Sequence, residues 1–127
     1  MEKSPDYRMR VLIADDQKSV GTSLAELVKF CKHEVVEVVG SGLEAIQAYS
    51  RHQPDVVLMD YNMPKLNGAT ACRNIIAKYP GARVVLVSAF PKEFADSGAV
   101  ALLTKPVSLD QLYAALYVAA NPPHPDA

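Results

Sequence analysis

Tryptophan is absent, cysteine occurs twice, and neither sign of charge dominates: 13 Lys and Arg stand against 14 Asp and Glu, a formal net charge of -1. That balance gives no reason to expect nucleic acid or an anionic membrane surface as the main partner. Long hydrophobic runs are also missing. Each apolar stretch is only a few residues, far short of a bilayer span. The N-terminal Met1-Glu2-Lys3-Ser4-Pro5-Asp6 lacks the apolar stretch of a signal peptide. A soluble, cytoplasmic protein is expected. Cys31 and Cys72 have no CxxC spacing and no companion set of histidines, which argues against zinc. Both are expected to be reduced and in or near the core.

Half of the 127 residues are apolar, which suits one compact domain with a real core. Residues 1–8 are polar and residues 121–127 are nearly half proline; mobile tails are expected at both ends of a domain over 9–120. Inside it, short apolar runs alternate with helical patterns. The runs are Val11 to Ala14, Val35-Val36 with Val38-Val39, Val56 to Met59, Val84 to Val87 and Val100 to Leu103. Most are β-branched and continuous, as strands covered on both faces should be.

The intervening segments read as helices with defined ends. From Ser19 to Cys31, Val20, Leu24, Leu27, Val28 and Cys31 share one face. Ser41 with Glu44, and Ser108 with Gln111, have capping-box spacing. A helix from Ala69 to Tyr79 stops before Pro80-Gly81. Tyr113 and Tyr117, four apart, are expected to pack within the last helix. Alternating strands and helices predict a parallel sheet between helical layers, a three-layer α/β/α sandwich.

Ligands of such sheets sit outside the carboxyl ends of the strands, and polar residues gather there. Asp15-Asp16 follows the first run, Asp60 the third and Ser88 the fourth, while Lys105 lies two past Leu103. Three carboxylates brought together are unfavourable unless something positive intervenes. A magnesium ion takes oxygen ligands, usually one or two carboxylates with water and phosphate. Lys105 supplies a flexible point charge, and Ser88 a hydroxyl donor. A carboxylate in that setting can act as a nucleophile toward phosphorus, because phosphoryl transfer depends on positioning and charge neutralisation. Asp60, followed by Tyr61-Asn62-Met63-Pro64, is the best candidate. Asn67-Gly68 reads as a turn into the next helix.

Val-Leu-Ile-Ala-Asp15-Asp16, Met59-Asp60-Tyr-Asn62-Met63-Pro64 with Asn67-Gly68, Val-Leu-Val-Ser88-Ala89 and Thr104-Lys105-Pro106, in this order, resemble the receiver domain of a two-component response regulator of the chemotaxis-receiver type. The resemblance covers Met9 to Ala120 and implies a flavodoxin-like, doubly wound sheet of five parallel strands in the order 2-1-3-4-5. It implies that Asp60 accepts a phosphoryl group from a histidine kinase or phosphotransfer protein. It further implies that Asp16 holds Mg2+ (or Mn2+) directly, Asp15 through water, Asp60 by its carboxylate and Asn62 by its backbone carbonyl. Ser88 would bind the phosphoryl oxygen and move inward on phosphorylation, Lys105 would pair with the phosphoryl group, and Lys105-Pro106 would be cis. The output would pass to a protein target or linked output domain, with no direct contact to nucleic acid or membrane.

The chain departs from that family at three places. Leu102 occupies the position, three before the lysine, where the family carries a switching aromatic ring. The stretch from Ser88 to Lys105 is shorter than the family norm by more than a helical turn, so the fourth helix, within Lys92 to Ser97, is expected to be stunted. Phe90, two past Ser88, is expected to shield an acyl phosphate from water. Two rival readings follow from the same residues. One is a degenerate receiver acting as a constitutive interaction module. The other is a phosphatase with Asp60 as nucleophile, against which Asn62 stands where a second Asp would serve as general acid.

Overall fold

The computed structural model describes residues 8–90 and 96–121. Its strands and helices alternate as β1 (Arg10–Ala14), α1 (Lys18–Phe30), β2 (Glu34–Val39), α2 (Gly42–His52), β3 (Val56–Asp60), α3 (Gly68–Lys78), β4 (Val84–Ser88), β5 (Ala101–Thr104) and α4 (Leu109–Ala120). The strands form one parallel sheet in the order β2-β1-β3-β4-β5, as the resemblance implied. The expected tails, apart from Arg8 and Asn121, and most of the stunted helix expected near 92–97 lie outside the described residues.

Two apolar cores follow from the alternation of side chains along a strand. Val11, Ile13, Val56, Leu58, Val85 and Val87 face one way, onto Leu24, Val28, Leu112 and Leu116 of α1 and α4. Leu12, Ala14, Val57, Met59, Val84 and Leu86 face the other way, onto Ala45, Ala48, Cys72 and Ile75 of α2 and α3. Residues from Val56 to Asp60 and from Val84 to Ser88 are all buried, so the continuous β-branched runs there do mark doubly covered strands. The edge strand β2 differs: only Val39 is fully buried and Val38 is 40% exposed. Lying outermost with β1 as its single neighbour, it has less of the fold to cover it.

The helix starts obey the sequence signals with one adjustment. Ser108 and Gln111 form a reciprocal capping box. At α2, Ser41 Oγ accepts from the Glu44 N–H, but Glu44 Oε1 accepts from the N–H of Gly40 rather than Ser41. Asn67 caps α3 through the Thr70 N–H. Cys72 is buried and Cys31 half-buried, both free thiols. Tyr113 and Tyr117 are 59% and 52% exposed. The buried stripe of α4 is Leu112, Ala115, Leu116 and Ala119, and helical spacing puts 113 and 117 outside it.

Ser108→Ala removes the hydroxyl that holds the Gln111 N–H at 3.2 Å. It is expected to cost about 1 kcal/mol, seen as a lower urea midpoint with unchanged slope; an unmoved midpoint would show that the cap contributes nothing.

Candidate functional site

Strand register brings the polar residues to one edge. Ala14 pairs with Met59 across β1 and β3, so Asp15 and Asp60, each the next residue, leave the sheet side by side. Asp60 pairs with Val87, and Ser88 with Thr104, which sets Ser88 and Lys105 one step further along the same edge. Backbone bonds fix each residue beyond its pair. The Asp15 N–H donates to Val39 O at 2.9 Å, the Tyr61 N–H to Val87 O at 2.9 Å and the Lys105 N–H to Ser88 O at 3.0 Å. The Lys105-Pro106 peptide is cis, as expected.

Ligand oxygens of Asp15, Asp16 and Asp60 lie within 4.8 Å of one another. Asp15 and Asp60 are buried, at 2% and 3% exposure, whereas Asp16 faces solvent. Lys105 Nζ stands 3.0 Å from Asp60 Oδ1 and 3.7 Å from Asp15 Oδ2. Among the described residues, Lys105 alone is paired with these carboxylates, reaching two of the three. Asp15 Oδ1 accepts the Gln17 N–H at 2.9 Å at the entry to α1, but its buried Oδ2 accepts no hydrogen bond. Burial drives the carboxyls of both Asp15 and Asp60 above the usual aspartate range, against the opposing pull of the Gln17 N–H on Asp15 and of Lys105 on both. A compact cluster of hard oxygens with excess negative charge and one unsatisfied buried acceptor fits a divalent cation with oxygen preference.

The other expected residues border this cluster. Ser88 is buried, and its Oγ both accepts the Phe90 N–H at 3.0 Å and donates to Phe90 O at 3.2 Å. Phe90 itself is 56% exposed. Asn62 lies in the β3–α3 loop with its side chain in solvent. Leu102 is half-buried on the α2/α3 side of the sheet. One contributor was not read as part of the site from sequence. Gly68 donates its N–H to Tyr61 O at 2.7 Å, and a Cβ there would collide with the Asp60 carbonyl and lie 2.9 Å from Tyr61 Cα. The Asn67-Gly68 pair was visible as a turn; its pressure on Asp60 needed the folded chain.

The pattern of the response regulator receiver domain matches residues 11–117. The chain belongs to this family. Among curated relatives, the transcriptional regulatory protein PdtaR of Mycobacterium tuberculosis is 35% identical over 116 residues, covering 88% of this chain and 57% of PdtaR. The chain thus spans little more than half of that relative. The chemotaxis protein CheY of Listeria monocytogenes is 34% identical over 118 residues, 89% of this chain and 99% of CheY. Among solved structures, the CheX-CheY-BeF3-Mg+2 complex from Borrelia burgdorferi has a TM-score of 0.82 at 26% identity, covering 87% of this chain and 88% of the matched one. The signal receiver domain of NarL from Mycobacterium tuberculosis gives 0.81 at 26%, covering 90% and 98%. This is a receiver domain with an acidic pocket of Asp15, Asp16 and Asp60 beside Lys105. As a receiver it belongs with signalling proteins rather than classical enzymes, which sets the phosphatase reading aside. Among the described residues no helix is long and apolar enough to cross a membrane.

A carboxyl whose folded pKa is raised above its unfolded value lowers stability as pH rises from about 4, near the unfolded value, through the folded one. In chelator, Asp15→Asn is expected to melt above the wild type at pH 7, by about 1 kcal/mol or a few degrees. The gap should shrink toward pH 4, where the wild-type carboxyl is protonated too. Calorimetry across pH checks this; a gap that widens on acidification would refute it.

Proposed function

We propose that this receiver is a Mg2+-dependent phosphoacceptor, with Asp60 as the acceptor and the domain spanning 9–120. The placement of Lys105 Nζ 3.0 Å from Asp60 Oδ1, within a three-carboxylate cluster, carries the reading. Asp15 and Asp16, the Asp60 carboxylate and the backbone carbonyl of Asn62 are the groups that would hold Mg2+. When bound, the cation offsets charge on the carboxylates and on the incoming phosphoryl oxygens.

In the transfer, an Asp60 carboxylate oxygen forms a bond to phosphorus while the bond from phosphorus to the donor histidine nitrogen breaks, its electron pair leaving with the imidazole. The donor is a histidine kinase or histidine phosphotransfer protein in a two-component phosphorelay. Lys105 then exchanges a carboxylate partner for a phosphoryl oxygen. Ser88 releases its Phe90 contacts and donates to another phosphoryl oxygen. That exchange couples phosphorylation to the β4–β5 connection, shifting the population of a surface read by a protein target or a linked output domain. Half-buried Leu102 at the position of the family's aromatic ring favours a second reading, a receiver whose surface is constitutively active.

Incubation with acetyl phosphate and Mg2+, followed by intact mass, is expected to show one phosphoryl adduct on the wild type and none on Asp60→Asn. No adduct from acetyl phosphate or from a cognate kinase would leave the constitutive module. For the adduct, Phe90→Ala is expected to speed first-order loss of phosphate, because it removes the ring that stands two residues past Ser88, whose Oγ accepts the Phe90 N–H. An unchanged rate would remove the shielding role.

A further inference from the structure

The β3–α3 loop, which carries Asn62, is held from several directions. Its start is tied to β4 by the Tyr61 N–H and to α3 by Tyr61 O, which accepts the Gly68 N–H. Met63 is 8% exposed, sunk in the core between the sheet and α2 and α3. Within the loop the Leu66 N–H donates to Pro64 O at 2.7 Å, and Lys65 has φ 72°. The remaining hold comes from α2, an element that supplies no residue to the acidic pocket. Gly42, the first residue of α2, lies so close to the loop that a Cβ there would stand 2.5 Å from Leu66 O, 3.1 Å from Leu66 Cβ and 3.3 Å from Ala71 Cβ. The first of these obstacles is backbone, which cannot swing aside as a long side chain would.

We propose that Gly42 is a positioning residue for the phosphoacceptor site: the bare backbone at the start of α2 seats the β3–α3 loop, and through it the Asn62 carbonyl, for the cation. Gly42 and Gly68 grip the loop from opposite ends, one against Leu66 and one against Asp60 and Tyr61. Gly68 bears on the acceptor directly, whereas Gly42 acts through the loop alone. Ser41 fixes the start of α2 by capping the Glu44 N–H, so the helix cannot readily retreat to make room for a methyl group. A substituent at 42 displaces the Leu66 carbonyl instead, and the loop ahead of it moves. The inference rests on the Mg2+-dependent reading above.

Calorimetric titration with Mg2+ and the rate of adduct formation from acetyl phosphate test it on the full chain. Gly42→Ala is expected to weaken Mg2+ binding by about tenfold or more, as loss of outer-shell support typically does, and to slow adduct formation. Gly81→Ala, whose Cβ meets nothing within 4 Å, should match the wild type. Val28→Ala opens the α1/α4 core on the other face of the sheet and should lower the melting temperature while leaving Mg2+ affinity unchanged. Equal Mg2+ affinity in Gly42→Ala and wild type, or an equal loss in Val28→Ala, overturns the proposal. Should Gly42→Ala not fold, Ser41→Ala frees the start of α2 by removing the hydroxyl that holds the Glu44 N–H; it is expected to weaken Mg2+ binding, and unchanged affinity overturns the proposal as well. A wild type that neither binds Mg2+ nor forms an adduct overturns the phosphoacceptor reading instead, which separates the two failures.

Discussion

Among the described residues, three clustered carboxylates with one paired ammonium set the terms for the rest of the molecule. Asp15 and Asp60 are buried beside Asp16, and Lys105 reaches two of them at 3.0 and 3.7 Å. Burial raises the cost of each charge, and Lys105 does not satisfy every oxygen: Asp15 Oδ2, 3.7 Å from its ammonium, accepts no hydrogen bond among the described residues. The pocket is therefore held in a state that a cation and a phosphoryl group can relieve. The tension is maintained by the sheet, whose register forces the strand-end residues together, and by cores on both faces that resist their separation.

That constraint shows in where burial is concentrated. β1, β3 and β4 are almost entirely buried; Asp15 and Asp16 directly follow β1, and Asp60 and Ser88 end β3 and β4. The β3–α3 loop is pinned by backbone bonds, by Met63 and by close approaches at Gly42 and Gly68. Ser88, by contrast, is engaged with Phe90 in the β4–β5 connection. Those contacts tie the end of β4 to the residue two positions on.

Much of this was legible in the chain. Strand runs, helix stops and caps are local signals, and the residues at strand ends identified the site before any geometry was known. Where local signals left an outcome open, long-range packing decided it. The Val-rich β2, at the edge of the strand order that the resemblance implied, leaves Val38 exposed. Tyr113 and Tyr117 lie outside the Leu112 and Leu116 stripe that α4 buries. Glu44 had the spacing to close a box on Ser41 and accepts the Gly40 N–H instead.

The sequence by itself determined the alternation of elements, the capping residues, the identities of the acids, the serine and the lysine, and the leucine at 102, because each depends on neighbours within a few positions. Tertiary structure alone decided that Asp15 is buried while adjacent Asp16 is not, that Lys105 bridges two strands' carboxylates, and that glycine is required where α2 and α3 meet the loop. Those outcomes depend on distances between segments tens of residues apart. Only packing of the helices against both faces of a registered sheet sets such distances.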